Sequence, residues 1–133
     1  MDMFDDASVD GIIKALEVAP PVSIIQLRVF GGAMCRVPAE ATAFPHRNAM
    51  VQVTIINLSV DPASVDEVTA WNRALFAALE PRGPGVYANF LEDEGESRIR
   101  DAYPGGTCER LGAIKRRYDT ANVFHRNQNI RPA

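Results

Sequence analysis

Apolar residues recur along the chain at two periods, and the period tells helix from strand. Val9, Ile12, Ile13 and Leu16 fall at helical spacing; Asp6 or Ser8 can cap that helix, and Pro20-Pro21 ends it. From Ser23 to Phe30 the pattern changes to alternation. Ile25, Leu27 and Val29 point one way, while Ile24, Gln26 and Arg28 point the other. Gly31-Gly32 breaks this strand, and residues 33–47 are irregular around Pro38 and Pro45, with room for a short edge strand at 42–44. Met50 to Leu58 is the strongest strand, with Val51, Val53 and Ile55 opposite Gln52, Thr54 and Ile56. Asp61-Pro62 opens a helix running to about Glu80, with a stripe of Val65, Val68, Leu75, Phe76 and Leu79. After the turn at 82–85, Val86 to Leu91 (VYANFL) reads as a third strand, placing Tyr87 and Asn89 on one face. Two short helices follow, at 94–103 and 107–118, the second turning Leu111, Ile114 and Tyr118 inward. Without a regular strand–helix–strand rhythm, the expected class is α+β: an antiparallel sheet of three or more strands with helices on one face.

At 133 residues the chain is expected to be one domain. It divides into an N-terminal helix (1–22), a sheet and helix (23–91) and a C-terminal segment (92–133). A net charge of −3 argues against non-specific nucleic-acid binding and against an anionic-membrane anchor. No apolar run nears the roughly 20 residues of a spanning helix, and the acidic N-terminus does not read as a secretory signal. Cys35 and Cys108 stand apart with no ligand cluster around them, so no structural zinc and two reduced thiols in a cytoplasm are expected.

Catalytic signatures are sparse: no GxSxG, phosphate-binding loop or GxGxxG occurs. His46 and His125 lack companions at metal-ligand spacing. Asp93, Glu94 and Glu96 suit a solvated helix start, and Lys115-Arg116-Arg117 suits a helix C-terminus. Two places stand out. Gln26, Arg28, Gln52, Thr54, Tyr87 and Asn89 would share the polar sheet face, either as plain solvent exposure or as the wall of a ligand cavity. Asn127-Gln128-Asn129 offers consecutive amides, suited to a turn or to recognising a heteroaromatic ring.

An ordered series of motifs then carries a resemblance: Gly31-Gly32-Ala33, Phe44-Pro45-His46-Arg47, VYANFL at 86–91, Glu109-Arg110-Leu111 with Lys115 to Asp119, and Asn122-Val123-Phe124 with Asn127 to Ile130 and Pro132. From about Ser23 to Pro132 the chain resembles the C-terminal part of the berberine-bridge-enzyme-like FAD-linked oxidases. The resemblance implies a substrate-side antiparallel sheet that roofs the flavin. It implies Tyr87 as the base for substrate oxidation, Arg28, Thr54 and Asn89 as substrate contacts, and Asn127 and Asn129 near the flavin. A free Tyr has a pKa of about 10, so the base would need its phenolate stabilised, a role open to Arg28 if it shared a sheet face with Tyr87. Members of that family are several times longer. Their N-terminal half supplies a glycine-rich pyrophosphate loop and the residues that bond the flavin covalently, and no counterpart precedes Ser23 here. FAD is therefore expected only together with an FAD-binding partner chain, with none on the isolated chain, as for a split-gene subunit, a relic or a truncated product. A small-molecule substrate is expected; the alternative is a free-standing, non-catalytic binding or dimerisation module. Self-association as a homodimer is expected where the sheet and tail lack their usual cover.

Overall fold

The computed structural model describes residues 1–2, 4–58, 61–83, 85–91 and 95–133. They form two compact units, one of Met1–Gly31 with Ala49–Pro84 and one of Gly32–Asn48 with Gly85–Ala133.

In the first unit, the opening helix α1 (Asp6–Glu17) is capped by Asp5 rather than by Asp6 or Ser8. Asp5 Oδ1 accepts from the Ser8 amide at 2.8 Å and from the Ser8 hydroxyl at 2.6 Å, while the Asp5 amide points back at Ser8 Oγ. This is a capping box with Ser8 in the position more often held by an acid. Strands β1 (Ser23–Val29) and β2 (Val51–Asn57) pair antiparallel, with Gln26 opposite Thr54 and Arg28 opposite Gln52. Asp61 accepts from the Ala63 amide and starts a 3-10 turn at Pro62–Ser64, which leads into α2 (Val65–Leu79).

The core follows from these faces. Ile12 of α1 and Trp71, Leu75 and Leu79 of α2 are buried together, and Ile25, Val53 and Ile55 pack against them from one sheet face. Two hydrogen bonds fix the layers: Trp71 Nε1 donates to the Ala15 carbonyl at 2.8 Å, and Asn57 Nδ2 donates to Asn72 Oδ1 at 2.6 Å. The α2 stripe differs from the expected one. Trp71 replaces Val65 and Phe76, because Trp71, Leu75 and Leu79 succeed one another at four-residue steps and so stack on one line of the helix. Val65, by contrast, is 55% exposed.

The second unit holds α3 (Glu96–Ala102), α4 (Thr107–Tyr118) and 3-10 turns at Met34–Arg36, Ala39–Ala41 and Ala88–Phe90. The chain is thus a mixture of helix and strand, but the sheet among the described residues has two strands, not three. Residues 88–90 form a turn closed by the Phe90 amide donating to the Tyr87 carbonyl at 2.9 Å. In a strand Tyr87 and Phe90 would point to opposite faces; in a 3-10 turn residues three apart eclipse, and their rings lie 5.6 Å apart. No edge strand forms at 42–44 either. Side chains meet its backbone groups instead: the Phe44 amide donates to Thr42 Oγ1 and the Thr42 carbonyl accepts from Arg110. On α4 it is Thr107 and Gly112 that are buried. Ile114 and Tyr118, expected inside, are exposed, because the helix packs through Gly112 against the backbone of residues 131–133. The expected helix over 94–103 starts at Glu96; Asp93 and Glu94 lie outside the described residues.

Candidate functional site

Tyr87 lies in the second unit, half-buried, at the entrance to the 88–90 turn. Three neighbours orient its ring. Phe44 meets it edge-on with centroids 5.6 Å apart at 86°, Phe90 lies tilted at 5.6 Å, and Asn89 Nδ2 donates to its hydroxyl at 2.9 Å. Phe44 also meets His46 edge-on at 5.7 Å, and Gly85 leaves room for that imidazole: a Cβ there would fall 2.6 Å from His46 Cε1. Burial pushes the phenol of nearby Tyr103 up from its ordinary value, and Tyr87 and Cys108 push it the same way.

The sequence pairs Tyr87 with Asn89 and the structure brings the two together, through a turn instead of a strand. Because residues 86–91 are not part of the sheet, the expectation that Tyr87 and Arg28 lie side by side on one sheet face fails. Arg28 and Thr54 lie in the first unit and do share a face, diagonally across the β1–β2 pair. Thr54 is 7% exposed, its hydroxyl accepting from Gln52 Nε2 at 3.2 Å, whereas Arg28 is exposed.

The amide segment forms a turn. Asn127 takes a φ of 57°, the Asn129 amide donates to the Asn127 carbonyl at 2.8 Å, and Gln128 Nε2 donates to the Leu91 carbonyl. Asn tolerates this left-handed conformation better than most residues. Asn127 and Asn129 also line a cavity of about 190 Å³, together with Leu91, Glu96, Arg98 and Arg131. Asn129 Oδ1 is buried and has no hydrogen-bond partner among the described residues. A buried acceptor left unmet costs about 1–3 kcal/mol, so it marks a place suited to a ring N–H of a ligand. The flavin contact that the resemblance implies for Asn129 would supply such a donor.

The sequence does not reveal Phe44 as a neighbour of Tyr87, nor Arg47, whose guanidinium lies 4.9 Å from the Phe44 ring centroid, although both stand in the motif at 44–47. Residues with no periodic pattern, such as 33–47, give no sign of which side chains they turn inward. Among the described residues no group of three His, Cys, Asp or Glu side chains could hold a metal, and no helix is long and apolar enough to cross a membrane.

Residues 86–131 match the family model described as "Berberine and berberine like". Berberine bridge enzyme-like 6 of Arabidopsis thaliana is 30% identical over 125 residues, covering 81% of this chain and 23% of that protein. The uncharacterized FAD-linked oxidoreductase YgaK of Bacillus subtilis is 30% identical over 128 residues, covering 96% of this chain and 28% of its own length. The chain therefore spans about a quarter of the curated relatives it matches. Among solved structures, Physcomitrella patens BBE-like 1 superposes with a TM-score of 0.82 at 22% identity, over 97% of this chain and 28% of that one. The glycopeptide hexose oxidase DBV29, solved with teicoplanin, gives 0.81 at 23% identity, over 96% and 30%. At those identities the structural likeness establishes the shared fold.

Proposed function

Because this chain is the counterpart of the C-terminal portion of the berberine-bridge-enzyme-like FAD-linked oxidoreductases, we propose that it forms the substrate side of such an oxidase and works with an FAD-binding portion. The observation that carries the reading is the Tyr87 phenol, held at its ring by Phe44 and Phe90 and at its oxygen by Asn89, inside the segment that matches the family. When bound, FAD would supply the two-electron acceptor. Tyr87 Oη would act as the base for the proton of a substrate hydroxyl while the hydride of the adjacent C–H bond would pass to that acceptor. Such general-base work contributes roughly 10²–10⁴-fold. The Asn89 amide, donating to Oη, holds that oxygen in place. Arg28 and Thr54 of the first unit remain the substrate contacts that the resemblance implies, and Asn127 and Asn129 of the second its flavin contacts. The protein is expected in the cytoplasm.

The test supplies the FAD-binding portion of a homologous oxidase and compares turnover with wild-type chain and with Tyr87→Phe. A loss of about a hundredfold or more is expected; equal turnover would remove Tyr87 from the mechanism.

A second reading, a non-catalytic binding or dimerisation module, draws on one observation. Ile24, Leu27 and Val29 of β1 are exposed, as are Val123 and Phe124. Apolar surface of this kind is commonly covered by a partner, here a second copy or the FAD-binding chain. A symmetric dimer that never takes up flavin would favour this reading.

A further inference from the structure

We infer that Arg47 is a positioning residue for the Tyr87 phenol, acting through Phe44. The inference rests on the proposed role of Tyr87 and adds to it the device that orients the ring. Residues 34–44 form two isolated 3-10 turns and no sheet ladder, so their path is set by whatever binds their polar groups. Arg47 binds them at three points. Nε donates to the Phe44 carbonyl at 3.1 Å, Nη1 to the Met34 carbonyl at 3.3 Å and Nη2 to Thr42 Oγ1 at 2.7 Å. The same guanidinium lies 4.9 Å from the centroid of the Phe44 ring. Phe44 is therefore gripped at both its backbone and its ring by one rigid plane. Arg110, from α4, adds donors to the Glu40 and Thr42 carbonyls.

What Phe44 presents in turn is the edge-on contact with Tyr87. Its contacts with Asn89 and Phe90 come from its own turn and would move with it. Phe44 thus fixes the phenol against a separate part of the unit. Lysine cannot substitute for Arg47. Its single ammonium on a flexible stem cannot span three acceptors, although it keeps the charge.

The chain has three tyrosines, so selective ¹³C labelling of tyrosine resolves Tyr87, with Tyr87→Phe giving its assignment. In Arg47→Lys and in Phe44→Leu the Tyr87 ring resonances should shift and its nuclear Overhauser contacts with residue 44 should weaken. The Tyr118 resonances should stay in place, and the double variant should add little to either single change. With an FAD-binding portion supplied, Arg47→Lys should lower kcat by about tenfold while KM changes little, and Phe44→Tyr, which keeps an aromatic edge, should restore turnover lost in Phe44→Leu. A chain that merely held its loop through Arg47 would show no such split. Unchanged Tyr87 resonances in Arg47→Lys would overturn the inference. Should that variant fail to fold, unchanged resonances in Thr42→Ala and Phe44→Leu would overturn it equally. Equal turnover of wild type and Tyr87→Phe with the resonance coupling intact would instead defeat the role of Tyr87 and leave the coupling standing.

Discussion

At the scale of single residues, Asp5 shows how a charge is recruited to a cap. Its carboxyl is held down to about 2, first by the Ser8 hydroxyl and amide and then by Arg82, whose Nε lies 3.0 Å from Oδ1. A carboxyl depressed in the folded state stabilises the fold above its unfolded value, about 3.9, and that stabilisation fades as pH falls toward the folded value. Melting temperature should therefore fall between about pH 4 and pH 2, and Asp5→Ala should flatten that limb while lowering the melting temperature at neutral pH. An unchanged limb would assign the acid sensitivity to other carboxyls. Trp71 makes the complementary point about the core. Trp71→Phe removes the hydrogen bond to the Ala15 carbonyl and leaves a gap, and should cost about 1–2 kcal/mol in urea unfolding. Leu75→Ala, at a site 2% exposed, should cost about 2–5 kcal/mol. A smaller loss for Leu75→Ala than for Trp71→Phe would mean that the core is not centred where α1 and α2 meet the sheet.

At the scale of elements, legibility follows the length of the pattern. β1 and β2 alternate over seven positions each and lie where the alternation puts them, and α4 spans its expected residues 107–118. Residues 86–91 alternate over six, too few to separate a strand from a 3-10 turn, and there the eclipsing of Tyr87 and Phe90 decides. The site was legible in part for the same reason. Tyr87 and Asn89 stay together in either conformation, but the neighbours differ, so Phe44 and Arg47 could not be read from alternation. α4 carries a further lesson in Gly112. A Cβ there would meet the Ala133 Cβ and the Arg131 carbonyl at 3.2 Å, and the Ala133 amide donates to the Gly112 carbonyl. Gly112→Val should break that bond and speed hydrogen exchange at Ala133. Unaltered exchange would mean that the C-terminal residues are held elsewhere.

At the scale of the whole molecule, the candidate residues divide between the two units: Arg28 and Thr54 in the first, Tyr87, Asn89, Asn127 and Asn129 in the second. Each unit closes its own core or loop network while leaving apolar side chains exposed, Val29 at 82% and Phe124 at 81%. Such surface should drive association, and sedimentation at rising concentration should show a species heavier than the 14.6 kDa chain; a persistent monomer would contradict it. The chain spans about a quarter of its relatives, and the proposed division of labour gives it the substrate and proton-handling groups while the remainder binds FAD. The most direct test is complementation. An FAD-linked relative shortened by its C-terminal quarter is mixed with this chain, and the oxidase activity and the visible flavin spectrum of the purified complex are measured. The expected result is a yellow complex that turns over substrate with wild-type chain and loses turnover with Tyr87→Phe. A shortened relative that binds flavin but neither associates with the chain nor regains activity would contradict it.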